Sequence, residues 1–171
     1  MKLKAVSDTG PVRHLWEIGQ ERILTLFSIV YLPNQVKVEL SLQDVWQNLD
    51  EAVLDCFRVE SVADSEIQKR SAIFADTELQ PVDVAVIVLA KLLNPHAVLT
   101  DDLELRTVLE SVGLSVVGSV GLLIRAFKNG QFSKADLEML IDRLFTGSTL
   151  YLSQAFKARV KRMIEDLSDH F

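Results

Sequence analysis

The chain has 171 residues, 49% of them apolar and 25% charged, a balance that excludes disorder and fibrous repeats and sets the expectation of one globular unit with a sizeable core. A formal net charge of −6 counts against a broad, non-specific nucleic-acid binder, which draws on Lys and Arg for its phosphate contacts. It does not exclude an enzyme whose carboxylates are neutralised by bound metal, because the local field then departs from the formal sum.

Met1 to Val6 offers Lys2 and Lys4 but runs into Asp8, Arg13 and Glu17, which leaves no apolar core for an export signal. Leu3 to Ser7 alternates as a strand and ends at Asp8. Thr9, Gly10 and Pro11 then punctuate the chain before the helical spacing of Val12, Leu15 and Trp16. A short helix through Ile23 and Leu26 leads into the apolar run Ser28 to Leu32. Pro33 suits the first turn of a helix on which Val36 and Leu40 share a face beside Glu39. Asp44 to Glu51 reads as an exposed helix. Val53 to Val59, with branched and aromatic residues, reads as a strand in which Cys56 is a small hydrophobe.

Ser65 to Phe74 is a predicted surface helix. Leu79 to Pro81 opens the strongest helical pattern, Val82 to Leu93, which is closed by Asn94 and Pro95 and is apolar on nearly every side, hence central. Ala97 to Thr100 and Leu114 to Val117 are predicted strands on either side of a helix, Leu103 to Ser111, closed by Gly113. The longest uncharged run, Ser111 to Ile124, is interrupted by Gly113, Gly118 and Gly121 and falls short of the roughly 18 residues a spanning helix needs, so no membrane segment is expected. Val120 to Lys128, Lys134 to Phe145 and Ser153 to Leu167 are helical and cap the sheet or mediate contacts. Strands alternating with helices over short loops imply an α/β fold with a doubly wound parallel sheet flanked by helices. A single Cys and no export signal make the cytoplasm the expected location.

Open parallel sheets bind ligands outside the carboxyl ends of their strands, where strand order reverses. Asp8 and Asp102 occupy such ends, Asp83 lies in the first turn of the central helix, and Glu39 lies near the end of the helix after Pro33. Each has an ordinary reading: Asp8 as a helix cap, Asp83 as a charge favoured by the helix dipole, Glu39 as a solvated surface carboxylate. Asp101, with Glu104 three residues on, makes a capping box that frees Asp102 as the direct ligand and leaves Asp101 as a supporting or alternate one. Converging carboxylates repel and raise one another's pKa, so a folded cluster calls for a cation, and Mg²⁺ or Mn²⁺ suits oxygen donors. Such ions activate water and steady a phosphoryl transition state.

The order of motifs, SDTGP after the first strand, then LPNQVKVEL, LQPVDVAVIVLAK and VLTDDLELR, resembles the PIN domain family of metal-dependent ribonucleases. The nearest likeness is to a bacterial and archaeal subgroup once catalogued as a domain of unknown function, similar to the toxins of toxin and antitoxin pairs. The resemblance implies catalytic roles for Asp8, Glu39, Asp83 and Asp102. It also implies metal ligation by Asp8, Asp83 and Asp102, with Asp101 as the further candidate, and homodimerisation. Where the family often has Ser two residues after the first acid, this chain has Gly10; where the subgroup has Gly-Glu it has Val82 and Asp83. The expected layout is a nuclease-like domain over residues 1–130 and a helical extension over 131–171 packed on it.

Candidate cations for an RNA chain are Arg13, His14, Lys37, Arg106 and the stretch Lys157, Arg159, Lys161 and Arg162. That stretch also reads as a solvated face balanced by Glu165 and Asp166. Arg106, one turn beyond Asp102, is the preferred substrate contact, with Arg13 and Thr9 beside it. Two functions stand: an endoribonuclease, with RNA as substrate and an antitoxin protein as partner, or a catalytically silent module that binds nucleic acid or protein. Phosphatases that use a nucleophilic Asp after the first strand need a second Asp two residues on, where Gly10 stands.

Overall fold

Strand β1 (Lys4–Ser7) begins the fold in the computed structural model, which describes residues 3–167. After it come α1 (Thr9–Glu17), a 3₁₀ turn over Glu21–Leu26, β2 (Ile29–Pro33), α2 (Asn34–Leu42), α3 (Glu51–Cys56) and β3 (Phe57–Glu60). The chain then forms α4 (Asp64–Ser71), α5 (Pro81–Leu93), β4 (Ala97–Leu99), α6 (Leu103–Ser111) and β5 (Val116–Val117). It ends in α7 (Ser119–Lys128), α8 (Lys134–Gly147) and α9 (Gln154–Glu165).

All five strands pair in parallel, in the order β3-β2-β1-β4-β5. Winding runs outward from β1 through β2 to β3, then returns across the sheet to β4 and β5. The reversal therefore falls between β1 and β4, where Val6 lies opposite Val98 and Ser7 opposite Leu99. Ala5, Val6, Ala97, Val98 and Leu99 are fully buried, as expected of central parallel strands covered on both faces. The central helix α5 lies against β1 and β2 and buries Val84 through Ile87, Leu89 and Ala90, leaving Lys91 and Leu92 outside.

The C-terminal helices share this core. Leu137, Leu140, Ile141 and Leu144 of α8 and Val160 and Ile164 of α9 belong to the same buried apolar cluster as the strands. A polar pin adds to the packing. Glu17 at the end of α1 accepts from the Thr149 amide at 2.7 Å and from its hydroxyl, and pairs with Arg13 at 3.0 Å. Burial works against the Glu17 charge, but the Thr149 bonds and Arg13 more than offset it and hold the carboxyl below its ordinary range. Of the expected ranges 1–130 and 131–171, residues 1–2 and 168–171 lie outside the described residues. Among the described residues no helix is long and apolar enough to cross a membrane.

Three local expectations are corrected. Residues 53–56 of the predicted strand Val53 to Val59 belong instead to the helix α3, nucleated by Asp50, whose carboxylate accepts from the Ala52 amide at 2.9 Å. Cys56 consequently ends a helix, and its thiol, pushed up to about 11 chiefly by burial, donates to the Val53 carbonyl. The predicted exposed helix Asp44 to Glu51 is mostly turn. Asp44 takes a left-handed φ of 58°, only Trp46–Asn48 form a 3₁₀ turn, and Val45 and Leu49 are buried. Pro33 closes β2 and precedes α2 instead of entering its first turn.

The position of Leu99 on the central strand gives a stability test. Leu99→Ala is expected to cost about 2–5 kcal/mol because the cavity is enclosed, whereas Leu92→Ala on the exposed side of α5 changes stability by less than about 0.5 kcal/mol. Urea unfolding of the two variants measures both; equal losses would place Leu99 outside the core.

Candidate active site

The parallel register brings the ends of β1 and β4 side by side, and two threonines fix the carboxylates that follow them. Asp8 caps α1. Its Oδ1 accepts from the Thr9 amide at 2.7 Å and its Oδ2 from the Thr100 hydroxyl at 3.0 Å, while its own amide donates to the Leu99 carbonyl. The Thr9 hydroxyl turns the other way and donates to Glu39 Oε2 at 2.6 Å, which ties α2 to the same turn. The Thr100 hydroxyl in turn accepts from the Asp102 amide at 3.1 Å. Asp83 approaches from the N-terminus of α5 in a capping box with Gln80, whose amide donates to Asp83 Oδ2 at 2.7 Å.

Electrostatics show that these four carboxylates share one neighbourhood. Burial pushes Asp8 up to about 7, with the charges of Asp83 and Glu39 adding to it against the Thr9 and Thr100 bonds. Burial is also the largest cause raising Asp83 to about 6; Gln80 opposes it, and Asp102, Glu39 and Glu104 reinforce it. Exposure grades outward from buried Asp8 through half-buried Glu39 and Asp83 to exposed Asp102. None of the four has an ion-pair partner among the described residues. Glu104, which the sequence suggested only as a capping partner, adds a fifth charge at the rim; its place in the first turn of α6 beside Asp102 was the available signal.

The cap of α6 expected of Asp101 is made instead by Asp102. Asp102 caps α6, its Oδ1 accepting from the Leu105 amide at 2.7 Å, while Asp101 reaches across to α7. Asp101 Oδ1 accepts from the Ser119 amide at 2.7 Å, and its Oδ2 from the Ser119 hydroxyl at 2.5 Å and lies 2.7 Å from His14 Nδ1. It thus serves as a remote cap for α7, whose own preceding residue, Gly118, has no side chain to offer. A Cβ on Gly118 would stand 2.7 Å from Asp101 Oδ1, so only glycine admits this approach. Ser119, which sequence reasoning did not single out, is fully buried; its signal lies 18 residues away from its partner and is not local.

The expected RNA-facing cations are scattered. His14 is buried against Asp101, Arg13 pairs with Glu17, and Lys37 lies 5.1 Å over the Trp46 ring. Arg106 donates to the Val116 carbonyl and to Glu110, both at 3.4 Å. In the basic stretch on α9, Lys161 pairs with Asp142 of α8 rather than with Glu165 or Asp166, and Lys157 donates to the Phe145 carbonyl.

A family model described as PIN domain matches residues 4–166, nearly the whole chain. The chain belongs to the PIN domain family. Its five-stranded parallel sheet flanked by helices is the PIN-like α/β arrangement, a nuclease-type fold. Comparison with curated proteins finds no match. PIN domains generally use divalent metal, and the donor chemistry here suits a hard cation: carboxylate oxygens without ion-pair partners among the described residues, two of which, on Asp8 and Asp83, are raised by burial and by neighbouring negative charge. Among the described residues no three such side chains stand close enough to form a ready-made cage.

Two predictions rest on this geometry. A carboxyl whose folded pKa lies above its unfolded value stabilises fully below the unfolded value, and the contribution fades as pH rises through the folded one, here from 3.8 to about 7 for Asp8. Metal-free Asp8→Asn, lacking that ionisation, should therefore gain in Tm over the wild type between about pH 5 and about pH 8; a difference that does not change with pH over that interval would contradict it. Second, Asp101→Ala strands the Ser119 amide and hydroxyl, and is expected to cost about 1–3 kcal/mol in denaturant unfolding, with Gly118→Ala costing a similar amount by overpacking.

Proposed function

We propose that this PIN domain is a metal-dependent endoribonuclease acting from the cytoplasm, with Asp8, Glu39, Asp83 and Asp102 as its catalytic carboxylates. The observation that carries the reading is the set of four acids at the sheet's reversal point, with burial and mutual repulsion lifting Asp8 to about 7 and Asp83 to about 6 and no ion-pair partner to relieve them. Asp8, Asp83 and Asp102 would hold Mg²⁺ or Mn²⁺, in part through the ion's waters, because no three of these side chains form a ready-made cage. The bound ion supplies charge neutralisation at the scissile phosphate and a more acidic water.

The chain's own groups do the positioning. Thr9 aims Glu39 through its hydroxyl and holds Asp8 through its amide, so one residue orients an acid on each of two helices. Glu39, half-buried and fixed at one oxygen, has the other available to order or accept a proton from water. Asp101, with its oxygens engaged by Ser119 and His14, supports the loop that carries Asp102 and would become a ligand only by giving up those bonds. Arg106, which lines the same concavity as Asp101, is the substrate-binding cation, with Thr9 and Arg13 on α1 as the further contacts. The same reading takes RNA as substrate, an antitoxin protein as binding partner and a homodimer as the assembled form.

Purified protein should cleave single-stranded RNA with Mg²⁺ or Mn²⁺ and not with EDTA, and Asp8→Ala or Asp83→Asn should lower the rate by about two orders of magnitude, the scale of losing one preorganised electrostatic group. The same ions should raise Tm at neutral pH and less near about pH 5, where protons compete for Asp8 and Asp83. Equal residual cleavage by wild type and variants would instead identify a silent binding module.

A further inference from the structure

Beside the acids, α7, α9 and the segment between α8 and α9 enclose a groove of about 740 Å³. Its walls are chiefly aliphatic: Val120 and Ile124 from α7, Leu152 from the linker, and Val160 and Met163 from α9. Much of this surface is wet, with Phe156 and Met163 each more than a third exposed and Tyr151 90% exposed at the rim. An apolar recess of this kind on a charged protein marks a place where something binds.

The charge around the groove says what. Arg106, Arg125 and Arg159 line it; Arg106 is spent on Glu110 and the Val116 carbonyl, and neither of the other two has a carboxylate at ion-pair distance among the described residues. The carboxylate that lines it, Asp101, is already engaged by Ser119 and His14. A chain of net charge −6 thus presents a positive rim around an apolar floor. Single-stranded nucleic acid calls for a row of aromatic platforms along a basic track, whereas here two rings, Tyr151 at the rim and Phe156 on α9, stand among a larger number of aliphatic side chains. Aliphatic pockets with flanking guanidinium forks match a helix that carries Leu or Phe anchors at helical spacing and Glu or Asp between them.

We propose that this groove docks an acidic amphipathic peptide segment of a partner protein, its apolar side chains on Ile124, Phe156 and Met163 and its carboxylates on Arg125 and Arg159. The groove reaches Asp101 and Leu103, and Leu103 is 77% exposed at the start of α6. The docked segment therefore abuts the loop that bears Asp102. The inference stands on the groove's own chemistry and does not depend on the nuclease reading.

The full chain is titrated in EDTA against a fluorescein-labelled synthetic helix with Leu and Phe at helical spacing among Glu residues, followed by fluorescence anisotropy. Saturable binding is expected, weakened about tenfold by the double variant Arg125→Glu, Arg159→Glu and by a similar factor with Met163→Asp. These residues are at the surface or groove wall, and unchanged circular dichroism and Tm show that the variants fold. A peptide with Lys in place of every Glu should not bind. Failure of the Glu peptide to bind, equal binding of the Lys peptide, or indifference to all three substitutions overturns the proposal. Oligouridine that binds in EDTA and is weakened by the Arg variants, when the Glu peptide does not bind, overturns it in favour of a nucleic-acid track. RNA cleavage is measured separately, so loss of either result leaves the other intact.

Discussion

The hydroxyl of Thr100 donates to Asp8 and accepts from the amide of Asp102, and so joins the ends of two neighbouring strands by one oxygen. Around it, four carboxylates must be held near one another against their repulsion. The fold does this with neutral donors: the Thr9 amide and hydroxyl, the Gln80 amide and the Leu105 amide. Hydroxyls and amides fix an acid's position without cancelling its charge, so the negative field survives folding. An Arg or Lys in the same place would have stabilised the metal-free protein and left less demand for a cation.

Burial supplies the second half of that arrangement. Asp8 lies at the closed end of the cluster, where water screens poorly, and its neighbours open progressively toward solvent at Asp102. The parallel sheet makes this gradient, because β1 and β4 are buried neighbouring strands whose carboxyl ends lead into helices α1 and α6. The same crossing that forms the core therefore creates the gap into which the acids project.

Much of this was legible in the sequence. Strand ends followed by Asp8 and Asp102, a helix opened by Pro81 and Asp83, the alternation of β1 and the apolar run of β4 are local patterns with local causes. What was not legible depended on distant partners. Asp101 and Asp102 are neighbours of the same residue type before the same helix, and only the arrival of Ser119 and His14 decides which one caps it. The branched residues from Val53 onward read as strand because the pattern spans a helix-to-strand change at Cys56 and Phe57, and the short helix owes its start to Asp50. Asp44 and the turn after it were missed because a left-handed φ at a non-glycine residue has only a weak sequence signature.

Asp101 sits at a junction with wider reach than its own bonds. It fastens the first turn of α7, which forms one wall of the groove, to the loop after β4, which presents Asp102. The groove wall and the acid-bearing loop are therefore one mechanical piece. Substitutions at Gly118 or Ser119 and substitutions around Thr100 to Asp102 should not combine independently, and evolution of a new binder on one side constrains the chemistry open to the other.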